Sequence, residues 1–386
     1  MEGSEGEDQQ PDLYQVALLI DQLKHDDPVL RVRASSFLVK ISKALGPKRT
    51  REELLPFIKD SLDDEDEVLL TIAEKLGDLV SLVGGAQYIY LIMEPLEILA
   101  MVDESSVREA VVKSIEIIVR ELSDEHILEH YYPLVARLSA KESFTSKISA
   151  AALFRLGYRR LPVREQEDFR RMFIKLCSDQ IPVVRRAAAL HLSCFAKVAE
   201  LTEVQQQFLE PFRLLAEDDH DSVRIQTTQN CIELANLLPT ELKLSRIRPI
   251  VASMANDKSW RVRWSLAKSV HSVCISLGPE IVNKFMVGIC ESLLTDNEAE
   301  VKSAAASNIP SFTRIMRKDL IIARIIPIMN QILSDSSELV RCSLASVLCD
   351  MACILGKDDT IQHLLPLLLH ILRDDSSEVT RLPCIP

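Results

Sequence analysis

A short apolar residue followed by a base recurs along this chain at a nearly constant interval, and no other feature restricts its fold as much. Leu30-Arg31, Val107-Arg108, Val184-Arg185, Val223-Arg224, Val262-Arg263, Val301-Lys302 and Val340-Arg341 carry the pair. Val68 and Val379 keep the apolar residue alone, and Ser146-Lys147 keeps the base. The anchors 30, 68, 107, 146, 184, 223, 262, 301, 340 and 379 lie 38 or 39 residues apart. Five positions before the anchor stands an aspartate in seven units: Asp63, Asp179, Asp218, Asp257, Asp296, Asp335 and Asp374. Twelve or thirteen before it stands a proline in seven: Pro56, Pro95, Pro133, Pro211, Pro249, Pro327 and Pro366. Gly46, Gly84, Gly278 or Gly356 follows at sixteen, and in other units Pro162 or Pro239.

Each mark has a physical reading. In the ninth unit Ile325, Ile326, Met329, Ile332 and Leu333 recur at helical spacing, so a first helix is predicted to end near Ser334. Asp335-Ser336-Ser337 forms a turn whose side chains accept from the amides opening the next helix. Val340, Leu344, Val347 and Met351 then make one apolar stripe of a second helix, which Gly356 closes at positive φ. The proline removes an amide and should bend the first helix. A lone pair of such helices cannot bury both of its apolar sides, whereas stacked pairs share one core. The expected fold is therefore all-α, a right-handed α-solenoid of ten antiparallel helix pairs. The pairs fall at roughly 13–46, 51–84, 88–122, 125–161, 166–200, 204–239, 243–278, 281–317, 321–356 and an incomplete 360–381. An acidic tail, 1–10, precedes the 11–381 array, and an irregular tail, 382–386, follows it. The recurring Asp and Arg read as a ladder between neighbouring turns.

Composition narrows the function. Aromatic residues make up 5%, glycines number 10 and the net charge is −12. No stretch approaches the roughly 20 unbroken apolar residues of a membrane span, and the MEGSEGEDQQ start is unlike a signal peptide. Nine scattered cysteines without C-x-x-C read as reduced residues, mostly on apolar faces, of a cytosolic or nuclear protein.

More specific strings carry a resemblance. Thr50 to Phe57 (TREELLPF), Asp64 to Leu70 (DEDEVLL), Leu82 to Gly85 (LVGG) and Cys177 to Ala189 (CSDQIPVVRRAAA) belong to this set. So do Asp257 to Trp264 (DKSWRVRW), Glu298 to Lys302 (EAEVK) and Ile354 to Leu367. From about Leu13 to Val379 the chain resembles the structural A subunit of the type 2A protein serine/threonine phosphatase, a HEAT-repeat family. The resemblance implies a fifteen-repeat scaffold whose intra-repeat turns dock a regulatory (B-type) subunit, with the catalytic subunit on the last five repeats. It assigns regulatory-subunit contact to Asp103, Glu104, Phe144, Thr145, Pro182, Arg185, Arg186, Ser259, Trp260 and Arg261. Of these, Arg185 reads as a ladder residue and Arg186 as the better contact; Trp260 flanked by arginine has the composition of an interface anchor, the alternative being that it only covers the neighbouring turn. Ser143 stands where the family has Trp, so altered docking is expected at the fourth turn. Because the tenth unit meets Pro383 soon after Val379, the catalytic-subunit repeats are not expected, and neither is catalytic-subunit binding.

No enzyme is expected. His126, Glu129 and His130 match H-x-x-E-H, but inside a predicted first helix and with no further ligand, so no metal or cofactor is assigned. Cys349 and Cys353 read as core residues beside the Val340 stripe. The charge disfavours nucleic acid. The alternative function is an importin-type transport solenoid holding basic cargo, for which the Asp64-Glu65-Asp66-Glu67 turn provides acid.

Overall fold

A computed structural model describes residues 13–373. The 1–10 tail, the tenth unit's second helix with Asp374 and Val379, and the 382–386 tail lie outside the described residues. Among the described residues every regular element is helical. They fall into two compact units, 13–199 and 200–373.

Within each unit helix pairs stack in chain order, second helix on second helix and first on first. In the N-terminal unit Asp66–Leu76 packs on Ser105–Glu121, and Phe144–Leu153 packs on Pro182–Ala196. In the C-terminal unit Thr227–Leu237, Trp260–Leu277, Ala299–Ser307 and Glu338–Ala345 follow one another. The anchors explain this order. Val68, Val107, Val184, Val223, Val262, Val301 and Val340 are at most 1% exposed, and the Leu344, Val347 and Met351 stripe is buried with them. Ser146 holds the anchor place in the fourth repeat, buried because its hydroxyl is spent on the Ser143 carbonyl. Next to it the second helices carry Ala150–Ala152 and Ala187–Ala189. There the volume is filled by rings: Phe154 meets Phe169, Phe173 and Phe195 at centroid distances of 5.1, 5.7 and 5.9 Å.

The first helices are not simply bent. Ahead of the proline the helix widens to an i→i−5 turn, except in the third repeat, where Ala86–Ile92 tightens to a 3-10 helix before Pro95. Leu55 N–H donates to Thr50 O, Tyr132 to Ile127 O, Arg248 to Lys243 O, Ile326 to Ile321 O and Leu365 to Thr360 O. The extra residue moves the backbone away from the proline ring, which would otherwise strike the carbonyl four residues back. The eighth repeat makes the same wide turn, Val282–Met286, with Gly288 and no proline, so proline is not required for it. At the far end of the pair Gly278 (φ 88°, ψ 161°) and Gly356 (φ 78°, ψ 172°) each join a second helix directly to the next first helix. Positive φ with extended ψ is essentially glycine's alone.

The ladder is more than a row of ion pairs. Asp257 Oδ1 accepts the Ser259 amide at 2.8 Å, and its carboxylate takes Arg224 Nε and Nη2 at 2.7 Å each. Arg224 Nη1 meanwhile donates to the carbonyls of Asp218 and Asp219 in its own turn. Arg263 with Asp296 repeats the arrangement, as do Arg31 with Asp64, Lys147 with Asp179 and Lys302 with Asp335 in their ion pairs. Two expectations change in detail. The second repeat uses Asp64, leaving Asp63 exposed. And the amide each aspartate accepts, Ser259 or Ser337 for instance, belongs to the N-cap residue and not to the helix proper.

Burial pushes the Asp257 carboxyl up, but the Arg224 hydrogen bonds and the Ser259 amide outweigh it and hold it below the ordinary range. A depressed carboxylate contributes stability above its unfolded pKa and loses it as pH falls through the folded one. Asp179, Asp296 and Asp335 are shifted the same way. Melting temperature should hold down to about pH 4, the unfolded aspartate value, and fall below it. Asp257→Asn strands a guanidinium that is 6% exposed and should cost about 3 kcal/mol. Chemical denaturation of both proteins at pH 7 and pH 3 checks this, since the variant should lose less on acidification.

Candidate docking surface

The turns between first and second helices present whatever the rungs do not use. In the N-terminal unit the third turn carries exposed Asp103 and half-buried Glu104. Glu104 caps Ser105–Glu121, and the Ser106 amide at 3.1 Å holds its carboxyl below the usual range. In the fourth turn Phe144 is 44% exposed, but Thr145 is 1% exposed and donates to Met101 O at 2.8 Å. Thr145 therefore ties the fourth turn to the third and is not presented to a partner. In the fifth turn Pro182 opens Pro182–Ala196 and Arg186 is exposed. Arg185 is half-buried and donates to the Asp179 and Gln180 carbonyls, the ladder role read from its position.

In the C-terminal unit Ser259 sits at the N-cap position of Trp260–Leu277, but its hydroxyl makes no capping bond and donates to Asp221 at 2.8 Å. Trp260 is half-buried under exposed Arg261, whose guanidinium lies 4.8 Å from the ring centroid. Ser259 thus shares in the fold, while Trp260 and Arg261 form an outward pair.

The sequence reading missed neighbours of equal quality. Trp264 is 37% exposed with Lys268 over its ring at 5.2 Å. It lies one helical turn after Trp260, off the Val262 stripe, and that spacing was the available signal. Val29, Val183 and Leu339, each just before an anchor, are 70%, 47% and 53% exposed.

Other candidates take different roles. Cys349 and Cys353 are exposed, contrary to the core expectation. Within their own helix, Leu348–Leu355, they lie at 100° per residue about 160° to either side of buried Met351, on the far face. His130 stacks on Tyr90 at 3.9 Å with His126 beside it, and burial followed by His126 lowers its pKa. Among the described residues no three His, Cys, Asp or Glu side chains are grouped to hold a metal. Burial pushes the Cys231 thiol up to about 12, which makes it a poor nucleophile. What the turns offer is aromatic, ionic and hydrogen-bonding contact.

Comparison with known proteins gives this surface a context. A family model described as PPP2R1A-like HEAT repeat matches residues 279–356. The A-type regulatory subunit of protein phosphatase PP2A from Schizosaccharomyces pombe is 38% identical over 279 residues, 72% of this chain and 47% of that protein. The protein phosphatase 2A scaffold subunit of Dictyostelium discoideum is 42% identical over 202 residues, 52% of this chain and 35% of that one. The chain thus spans less than half the length of these relatives. Among solved structures, the Kap95:Nup1 complex superposes with a TM-score of 0.70 at 14% identity, covering 96% of this chain and 51% of that one. At that identity the likeness is one of fold: an all-α solenoid.

If the turn residues stand apart from the core, Trp260→Ala and Arg186→Ala should leave helical content intact and move the melting temperature little. Leu344→Ala should cost about 2–5 kcal/mol through a buried cavity. Circular dichroism melts of the three variants separate the two classes.

Proposed function

Because the chain belongs to the HEAT-repeat family of A-type scaffolding and regulatory subunits of protein phosphatase 2A, we propose that it is a non-catalytic scaffold that docks regulatory subunits of that phosphatase on its intra-repeat turns. One observation carries the reading. In both units the rungs consume their aspartates and bases, while Phe144, Arg186 and Arg261 are exposed and Trp260 is half-buried under Arg261. Aromatic residues beside arginine are the composition of energetic anchors in protein interfaces.

The transport reading finds less support. The karyopherin likeness is limited to the fold, and the acidic second turn is partly spent, because Asp64 and Glu65 both pair with Arg31.

The test uses the 386-residue chain and a purified phosphatase regulatory subunit in a binding titration. The wild type should bind, and Trp260→Ala and Arg186→Ala should each weaken binding by about 1–4 kcal/mol with Leu344→Ala unaffected while folded. A Trp260→Ala protein that melts far lower yet binds normally would place the tryptophan in the core and end this reading.

A further inference from the structure

Each intact arginine rung divides its guanidinium in the same way. Nη1 of Arg31, Arg224 and Arg263 donates to carbonyls of its own turn. The Nε and Nη2 edge takes the carboxylate 33 residues on, Asp64, Asp257 or Asp296. Arg108 keeps the first half of this arrangement, with Nη1 2.7 Å from Val102 O and 2.6 Å from Asp103 O. The second half is missing. The residue 33 on is Lys141, and Arg108 Nε is buried with no acceptor. Lys141 Nζ rests 2.9 Å from Met101 Sδ, a weak acceptor. The nearby acids do not repair the gap: Asp103 and Glu142 are exposed, and neither side chain bonds Arg108.

The contrast with the preceding rung is informative. Between the second and third repeats both ends are apolar, Leu69 and Val102, and nothing is stranded. Losing both partners of a buried pair costs little, whereas losing one leaves a charged donor uncompensated. Arg108 is the uncompensated kind: a fork already held in bidentate geometry, beside a second cation on a flexible stem. (The matching position for Arg341, 374, lies outside the described residues.)

We propose that Arg108 and Lys141 form a receptor for a carboxylate of the protein that docks on these turns, and that this carboxylate completes the rung between the third and fourth repeats. The inference rests on the docking reading above and adds the chemistry of the partner: an acidic side chain set next to an apolar one. Phe144, exposed three residues from Lys141, supplies the apolar contact. Lys141 swings off Met101 to admit the carboxylate and becomes its second donor.

Lys141→Asp supplies the missing acid from within. It should raise the melting temperature by about 2 °C, weaken the binding of a purified regulatory subunit by about tenfold, and make that binding less sensitive to salt. Independently, the Arg108 Nε–H signal in an arginine-labelled nitrogen-15 NMR spectrum, assigned by its loss in Arg108→Lys, should shift when hexaglutamate is added at low ionic strength. The shift should be absent in Lys141→Asp. An Arg108 signal indifferent to hexaglutamate, or a stabilised Lys141→Asp protein whose affinity for the regulatory subunit equals that of wild type, overturns the proposal. If Arg108 responds to hexaglutamate but no regulatory subunit binds the wild-type chain, the receptor stands and the docking reading falls.

Discussion

The turn aspartate carries more of this structure than any other residue type. One oxygen accepts the N-cap amide of its own turn, and the carboxylate holds the base of the preceding repeat. That base in turn pins the carbonyls of the turn it came from. Each complete arginine rung, at Arg31, Arg224 and Arg263, therefore fixes two turns and their spacing together, with charges too buried for solvent to screen fully. Hydrophobic stripes drive the stacking, since apolar burial supplies most of the favourable free energy. They would tolerate sliding that directional bonds do not.

Function follows from the division of labour that the rungs create. The stripe residues face the core and the rung residues face each other; a few turn side chains, such as Thr145 and Ser259, tie neighbouring turns together, and others, such as Phe144, Arg186 and Arg261, are presented outward. A surface of this kind can change partner preference by substitution without losing the fold, as expected of an array whose stability is roughly a sum over repeats. The Arg108 position is where the two duties overlap, because a structural donor is left unpaired within the row of turns.

Much of this was legible in the sequence because each feature is repeated. The anchor valines, the Asp and Arg rungs and the closing glycines could be checked against one another across units. What escaped was local geometry. Asp63 and Asp64 are adjacent carboxylates, and only the path of the turn decides which one meets Arg31. Thr145 looks like its exposed neighbour Phe144 in a string, yet its hydroxyl is drawn inward by the Met101 carbonyl. Cys349 and Cys353 were misplaced by counting distance from the stripe instead of angle around it. The wide turns before the prolines have no single-residue signature, as the eighth repeat shows by making one with Gly288 in the proline's place.

The central claim is that partners meet the turns and not the helix faces. Hydrogen exchange of the 386-residue chain, with and without a saturating purified regulatory subunit, tests it most directly. The account predicts new protection in segments covering residues 100–108, 141–147, 180–187 and 257–264, with the interior of each second helix unchanged. Protection gained mainly along the outer helix faces, for instance around Ile117, Leu190 and Ile275, would contradict it.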